Sequence, residues 1–196
     1  MQENTIKSNY IAGVDEAGRG ALAGPVVAAS VILKNNCNNK DIKDSKKLSI
    51  KKRIEVFKYI IKNCEDYQVG IINNTEIDNI NILKSSLKAM KIAITKLSIK
   101  PDLVMIDGNK APELKNYTLK TIIKGDSKHK EISAASIIAK VTRDTIMENY
   151  AELFPNYGFE KHKGYGTKYH YLQLLKHGPS KIHRLKFKLK NEKYSS

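Results

Sequence analysis

The sequence predicts an α/β domain built on a mixed sheet. Three observations carry that expectation. Two β-rich runs, Ile11–Val14 and Pro25–Leu33, follow each other closely near the start. Helical and β patterns then alternate, which is how helices come to flank a sheet. A chain of 196 residues is long enough for one such domain with a substantial core, or one domain plus a small appendage.

Taken in order, Pro25–Leu33 is a β-rich run, apolar but for Ser30, that reads as a buried strand,. Asn35–Lys47 is polar and loop-like. Ser49 then caps a helix whose Ile50, Ile54, Phe57 and Ile61 recur at helical spacing,. Tyr67–Ile72 reads as a strand. After Thr75 one long helical pattern carries Leu83, Leu87, Met90, Ile94 and Leu97, and Pro101 ends it,. Leu103–Ile106 and Tyr117–Ile123 are further strands. A long helix runs from about Ile132 to Phe154, opening on Ser133, Ala134, Ala135 and Ser136. Thr167 caps a last helix that stops at Gly178-Pro179,. Residues 1–156 are the expected main domain, with 157–196 a basic helical segment packed on it.

The charge pattern points to nucleic acid. The net charge is +15, and such a field attracts phosphate polymers and releases their counterions. Its distribution says more: Lys161 to Lys190 holds nine Lys or Arg and no acid, a one-signed segment suited to a binding face. Cys37 and Cys64 are isolated thiols, which fits a reducing, cytoplasmic setting and excludes a zinc site. The polar start carries no signal-peptide core, and no stretch approaches the roughly 20 apolar residues that span a bilayer.

Residues 13–24, Gly-Val-Asp-Glu-Ala-Gly-Arg-Gly-Ala-Leu-Ala-Gly, invite two phosphate-loop readings. The P-loop fails because Arg19 and Gly20 stand where Lys and a hydroxyl are needed,. The dinucleotide fingerprint fails because it must open a helix, and Pro25 with a β-branched run follows instead,. What remains is Asp15-Glu16 at a strand end, before a glycine turn bearing one Arg. Adjacent carboxylates repel unless a cation intervenes, and a divalent metal is the usual answer. Strand neighbours point to opposite faces, so joint action of the two acids requires the backbone to leave regular strand geometry here. Asp107 and Asp126 each follow a β-run next to a glycine. Three β-runs delivering acids at the same kind of end suit Mg²⁺ or Mn²⁺ and phosphodiester hydrolysis, with two ions roughly 4 Å apart. A non-catalytic binder gains nothing from acids facing a phosphate backbone.

At this point the residues match a known family. Over nearly its whole length the chain resembles bacterial ribonuclease HII, the type 2 ribonuclease H. The matching segments are Gly13–Gly20, Asp44–Ser49, Asp107–Asn109, Gly125–Ser127, Ile132–Asp144, Gly164–Lys168 and His177–Ser180, in the family's order and spacing. The first motif starts by residue 13, which favours type 2 over the N-terminally extended type 3. The resemblance implies an RNase H-like fold, a mixed β-sheet flanked by helices, and Asp15, Glu16, Asp107 and Asp126 as the metal-binding carboxylates. It implies cutting 5′ of a ribonucleotide in an RNA–DNA hybrid or embedded in duplex DNA, with no small-molecule cofactor; nothing in the sequence demands more than a monomer. Gly18, Arg19 and Gly20 would read the ribose 2′-hydroxyl, where glycines allow close backbone approach. Tyr165 would stack on the next sugar and reject a ribose there. Lys46, Lys47, Lys140, Arg143 and Lys168 are assigned to phosphates, with His183 and Arg184 the best candidates among the histidine-bearing positions. Asp144 is expected to pair with Arg143, and the five histidines show no ligand spacing.

Overall fold

The computed structural model describes residues 10–42 and 48–187. Its strands are β1 (Ile11–Ala17), β2 (Val26–Leu33), β3 (Cys64–Ile72), β4 (Leu103–Asp107) and β5 (Leu119–Ile122). Its helices are α1 (Ile50–Asn63), α2 (Asn74–Ile80), α3 (Ile82–Thr95), α4 (Lys130–Leu153), α5 (Phe159–His162) and α6 (Lys168–His177). The sheet order is β3-β2-β1-β4-β5. β1, β2 and β3 pair antiparallel, whereas β4 runs parallel to β1 and β5 parallel to β4. The expected mixed sheet flanked by helices is the observed one.

β2 shows why its sequence is apolar without alternation. Val27, Ala29, Val31 and Leu33 face a layer containing α1 and α4, while Val26, Ala28 and Ile32 face the layer containing α3. Side chains alternate across a strand, so a strand covered on both faces draws apolar residues to both; the buried Ser30 is the one polar residue of β2,. A third cluster, Ala23, Met147, Tyr157, Phe159 and Ile182, joins the end of α4 to the C-terminal segment.

Two helical expectations are corrected. The single helix after Thr75 is two, because Asn81 takes a left-handed φ of 71°. Its N–H closes α2 on the Ile77 carbonyl, and its side chain accepts from Lys84 N to cap α3, a local use of Asn that breaks the ladder. In α1 the Ser49 cap is as expected and Phe57 and Ile61 pack against the core, but the fully buried residues are Val56 and Ile60, while Ile50 and Ile54 are 68% and 41% exposed. α6 is capped by Thr167 and ends at Gly178, φ 69°.

Candidate active site

The pairing register builds the acidic centre. Val14 lies beside Ile106 in the parallel β1–β4 pair, and both contribute to the α3-side core. One residue further along, Asp15 and Asp107 therefore sit side by side on the opposite, α4 face. Asp107 is the last residue of β4 and Asp15 lies two residues before β1 ends, close to the strand ends where open α/β sheets place their sites,. Asp126, in a 3-10 turn after β5, is buried against α4. That turn also orients Asp107, whose Oδ1 accepts from Gly125 N at 2.6 Å. The predicted departure of β1 from strand geometry at Asp15-Glu16 does not occur. Pairing with β2 continues to Ala17, and the chain turns only at Gly18, φ 97°.

The carboxylates nevertheless act on one another. Burial first, then the charges of Glu16 and Asp107, push the Asp15 carboxyl well above its ordinary range. A Ser136 hydrogen bond and the Glu16 N–H, 2.7 Å from Asp15 Oδ1, only partly offset this. Glu16 is raised mainly by burial, with Asp107 adding and Arg19 opposing; Arg19 Nη1 donates to Glu16 Oε1 at 3.1 Å. Buried like charges of this kind mark a functional centre.

Beside the acids lies an open groove of about 420 Å³, lined by Glu16, Gly18–Gly20, Arg53, Ser136, Lys140 and Tyr165 among others. The structure thus gathers Glu16, the whole Gly-Arg-Gly turn, Lys140 and Tyr165 from distant parts of the chain. The Tyr165 ring is flanked by Lys140 Nζ at 5.5 Å and the Arg143 guanidinium at 5.1 Å from its centroid. Lys168 is exposed in the first turn of α6 and does not line the groove. Lys46 and Lys47 lie outside the described residues. Arg53 and Ser136 were not singled out as site residues from sequence. Nothing separates Arg53 from the other bases of α1, and Ser136 is marked only by the small residues opening α4.

Three phosphate assignments are corrected. Arg143 is fully buried, donating to the carbonyls of Pro25 (3.0 Å), Lys163 (2.9 Å) and Ala23 (3.1 Å). Arg184, also buried, donates to Gly24, Arg19 and Pro25 carbonyls. His183 is buried against His170. These side chains hold backbone rather than face solvent. Asp144 pairs with Lys140 at 2.6 Å, one turn back on the same helix face, and not with Arg143,.

The histidines meet in the fold although they are scattered in sequence. His162 stacks on His170 with centroids 4.4 Å apart, and His170 Nε2 lies 2.9 Å from His183 Nε2. Burial pushes His170 and His183 down to about 4. Between pH 6.5 and 4 the unfolded chain takes up protons the folded chain refuses, so these groups lower stability as pH falls through that window. The slope is at most about 1.4 kcal/mol per pH unit for each histidine. The raised Asp15 and Glu16 pull in the opposite direction, because the folded state holds their protons more tightly. Urea unfolding of wild type and His183→Gln from pH 7 to 4.5 isolates the histidine contribution. The variant is expected to lose less stability on acidification; equal slopes would contradict the assignment.

A mixed sheet that presents neighbouring strand-end carboxylates beside a basic groove has the organisation of a ribonuclease H-like nuclease. The family model for ribonuclease HII matches residues 12–190. The ribonuclease HII of Mycoplasma capricolum subsp. capricolum is 52% identical over 179 residues, 91% of this chain and 86% of the relative. That of Pelagibacter ubique is 54% identical over 177 residues, covering 90% and 95%. Among solved structures, ribonuclease H2 from Pyrococcus horikoshii OT3 matches with a TM-score of 0.73 at 30% identity, covering 89% of this chain and 92% of that one. The chain belongs to the ribonuclease HII family. It is accordingly a ribonuclease H, a hydrolase with endonuclease activity on RNA paired with DNA.

Proposed function

We propose that the protein cleaves 5′ of ribonucleotides in RNA–DNA hybrids and at single ribonucleotides embedded in duplex DNA, leaving 3′-hydroxyl and 5′-phosphate ends. The observation that carries this reading is the β1–β4 register, which sets Asp15 beside Asp107, while the adjoining Glu16 lines the groove that holds Gly18–Gly20 and Tyr165. The donor set fits divalent cations. All candidate ligands are carboxylate oxygens, and burial and mutual repulsion raise Asp15, a strain that a cation would relieve. With Glu16 turned to Arg19 and one Asp107 oxygen on Gly125 N, no three acidic, histidine or cysteine side chains among the described residues enclose an ion as they stand. Asp15, Glu16, Asp107 and Asp126 would hold two ions, Mn²⁺ or Mg²⁺, which supply an activated water and charge for the leaving oxygen.

The chain's own groups do the rest. Gly20 leaves open space for a sugar to approach the backbone, where the 2′-hydroxyl separates RNA from DNA. The Tyr165 ring packs against the neighbouring deoxyribose and leaves no room for a second 2′-hydroxyl. Lys140, Arg53 and the exposed Arg19 neutralise phosphates,. Residues 157–187, through Tyr165, form the second wall of the substrate channel. The protein works in the cytoplasm as a monomer; Cys37 and Cys64 are free thiols, and among the described residues no helix is long and apolar enough to cross a membrane.

The test uses a labelled DNA duplex with one ribonucleotide, beside an all-DNA duplex, with Mg²⁺, Mn²⁺ or chelator. The expected result is a single cut 5′ of the ribonucleotide that disappears with chelator and never occurs in DNA. Cutting only of long hybrids would remove the excision reading, and cutting undiminished by chelator would remove the metal reading.

A further inference from the structure

Gly18–Gly20 and Tyr165, the pieces assigned above to the sugars, lie outside helices and long strands, so their mutual position needs another source. Part of it is backbone. Ala21 bridges to Tyr165 and Ala23 to His183, Leu22 N donates to Gly164 O, and Gly24 N donates to Ile182 O. The remainder comes from buried side chains ending on the carbonyls of the reading residues themselves.

His170 Nδ1 lies 3.0 Å from the Tyr165 carbonyl, and its Nε2 lies 2.9 Å from His183 Nε2. His183 Nδ1 lies 2.8 Å from both the N and the Oγ of Ser180, and the Ser180 N–H donates to it. One proton arrangement satisfies every contact. The Ser180 N–H needs a lone pair on His183 Nδ1, so His183 carries its proton on Nε2 and donates to His170 Nε2. His170 then carries its proton on Nδ1 and donates to Tyr165 O. Both rings are neutral. The next residue, Arg184, reaches the other way, and its Nη1 donates to the Arg19 carbonyl at 3.1 Å inside the Gly-Arg-Gly turn.

We propose that His170, His183 and Arg184 are positioning residues that fix Tyr165 relative to the Gly-Arg-Gly turn, and so set preference for a ribonucleotide followed by a deoxyribonucleotide. The proposal rests on the reading of Tyr165 and Gly18–Gly20 as sugar contacts. His170 also packs against Phe159, and His183 against Tyr157 and Phe159, in the cluster that supports the fold, a contribution that melting measures separately. The imidazole chain itself terminates on Tyr165 O.

The readout is the ratio of kcat/KM on duplex DNA with one ribonucleotide to kcat/KM on a uniform RNA–DNA hybrid. Both substrates use the same acidic centre, so damage common to both cancels. His170→Asn keeps a donor at the Nδ1 position, whereas His170→Phe fills the ring volume without one. Displacing a substrate contact by a fraction of an ångström is expected to lower the ratio about tenfold in His170→Phe and by less than about threefold in His170→Asn. Arg184→Lys, which cannot reproduce three directed donors, is expected to lower it as well. Circular dichroism and melting establish that each variant is folded. If His170→Phe does not fold, His183→Asn replaces it, because it keeps an acceptor for Ser180 but loses the donor to His170. A folded variant that lacks the link yet keeps the ratio, while Tyr165→Ala loses it, overturns the positioning role and leaves the sugar reading intact. If Tyr165→Ala keeps the ratio, the sugar reading and the positioning role fall together.

Discussion

Asp107→Asn is expected to reduce cleavage at an embedded ribonucleotide by about a thousandfold or more while leaving the metal-free protein folded, because it removes a charge from an ion-binding centre without changing its shape. The asparagine oxygen can still accept from Gly125 N, the bond that orients the wild-type carboxylate at 2.6 Å. Removing the charge also removes one of the repulsions that raise Asp15 and Glu16. The metal-free variant is therefore expected to melt at or above the wild-type temperature. Divalent ions, which stabilise whatever state binds them, should raise the melting point of wild type more than that of the variant. Single-turnover cleavage and melting with chelator, Mg²⁺ and Mn²⁺ check the three parts together. Activity within about tenfold of wild type would remove Asp107 from the ion-binding set. A strongly destabilised variant would show that the carboxylate serves the fold instead.

That the acids could be found in the sequence, but not their pairing, has a physical cause. Asp15 and Asp107 each stand out as an acid ending a β-run. Their adjacency depends on β1 and β4 running parallel in a register that sets Val14 against Ile106, a contact between segments far apart in the chain. β2 is legible because burial on both faces writes a run that is apolar at every position but Ser30. The α1 face is legible only in part: Phe57 and Ile61 pack against the core, but Ile50 and Ile54 share their helical spacing and stay exposed, and only packing selects Val56 and Ile60 for full burial. The basic residues failed for a different reason. Charged side chains are seldom buried unless paired, so Arg143 and Arg184 read as surface contacts. Their partners are carbonyls of residues 19–25 and 163, and the sequence does not mark which carbonyls lack a donor. The histidines were discounted as metal ligands on spacing, and spacing could not show that α5, α6 and the loop before Arg184 bring three of them together.

Gly13→Ala is expected to be among the most damaging small substitutions outside the carboxylates, although the change adds one methyl group to a strand. A Cβ at Gly13 would lie 2.0 Å from the Glu131 carbonyl carbon, 2.2 Å from its oxygen and 2.3 Å from Ile132 N. These are backbone atoms in the first turn of α4, so no rotamer change relieves the clash, and the helix must move off β1 by about 1 Å or more. The same helix carries Ser136 to Asp15 and packs Ala134, Ala135, Ile137 and Ile138 into the core. The displacement therefore loosens the core and the acidic centre together. A loss of about 3–5 kcal/mol is expected, lowering the melting temperature by on the order of 10 °C for a chain of this size. Gly20→Ala provides the contrast. A Cβ there meets nothing within 4 Å, so its melting point should match wild type. If the turn reads the ribose, cleavage at an embedded ribonucleotide should fall, because the methyl group occupies space the sugar needs. A Gly13→Ala protein melting within about 2 °C of wild type would mean that α4 does not rest on β1 as described. The two glycines separate two demands on one segment: Gly13 is small so that a helix can touch a strand, and Gly20 is small so that a substrate can touch the turn.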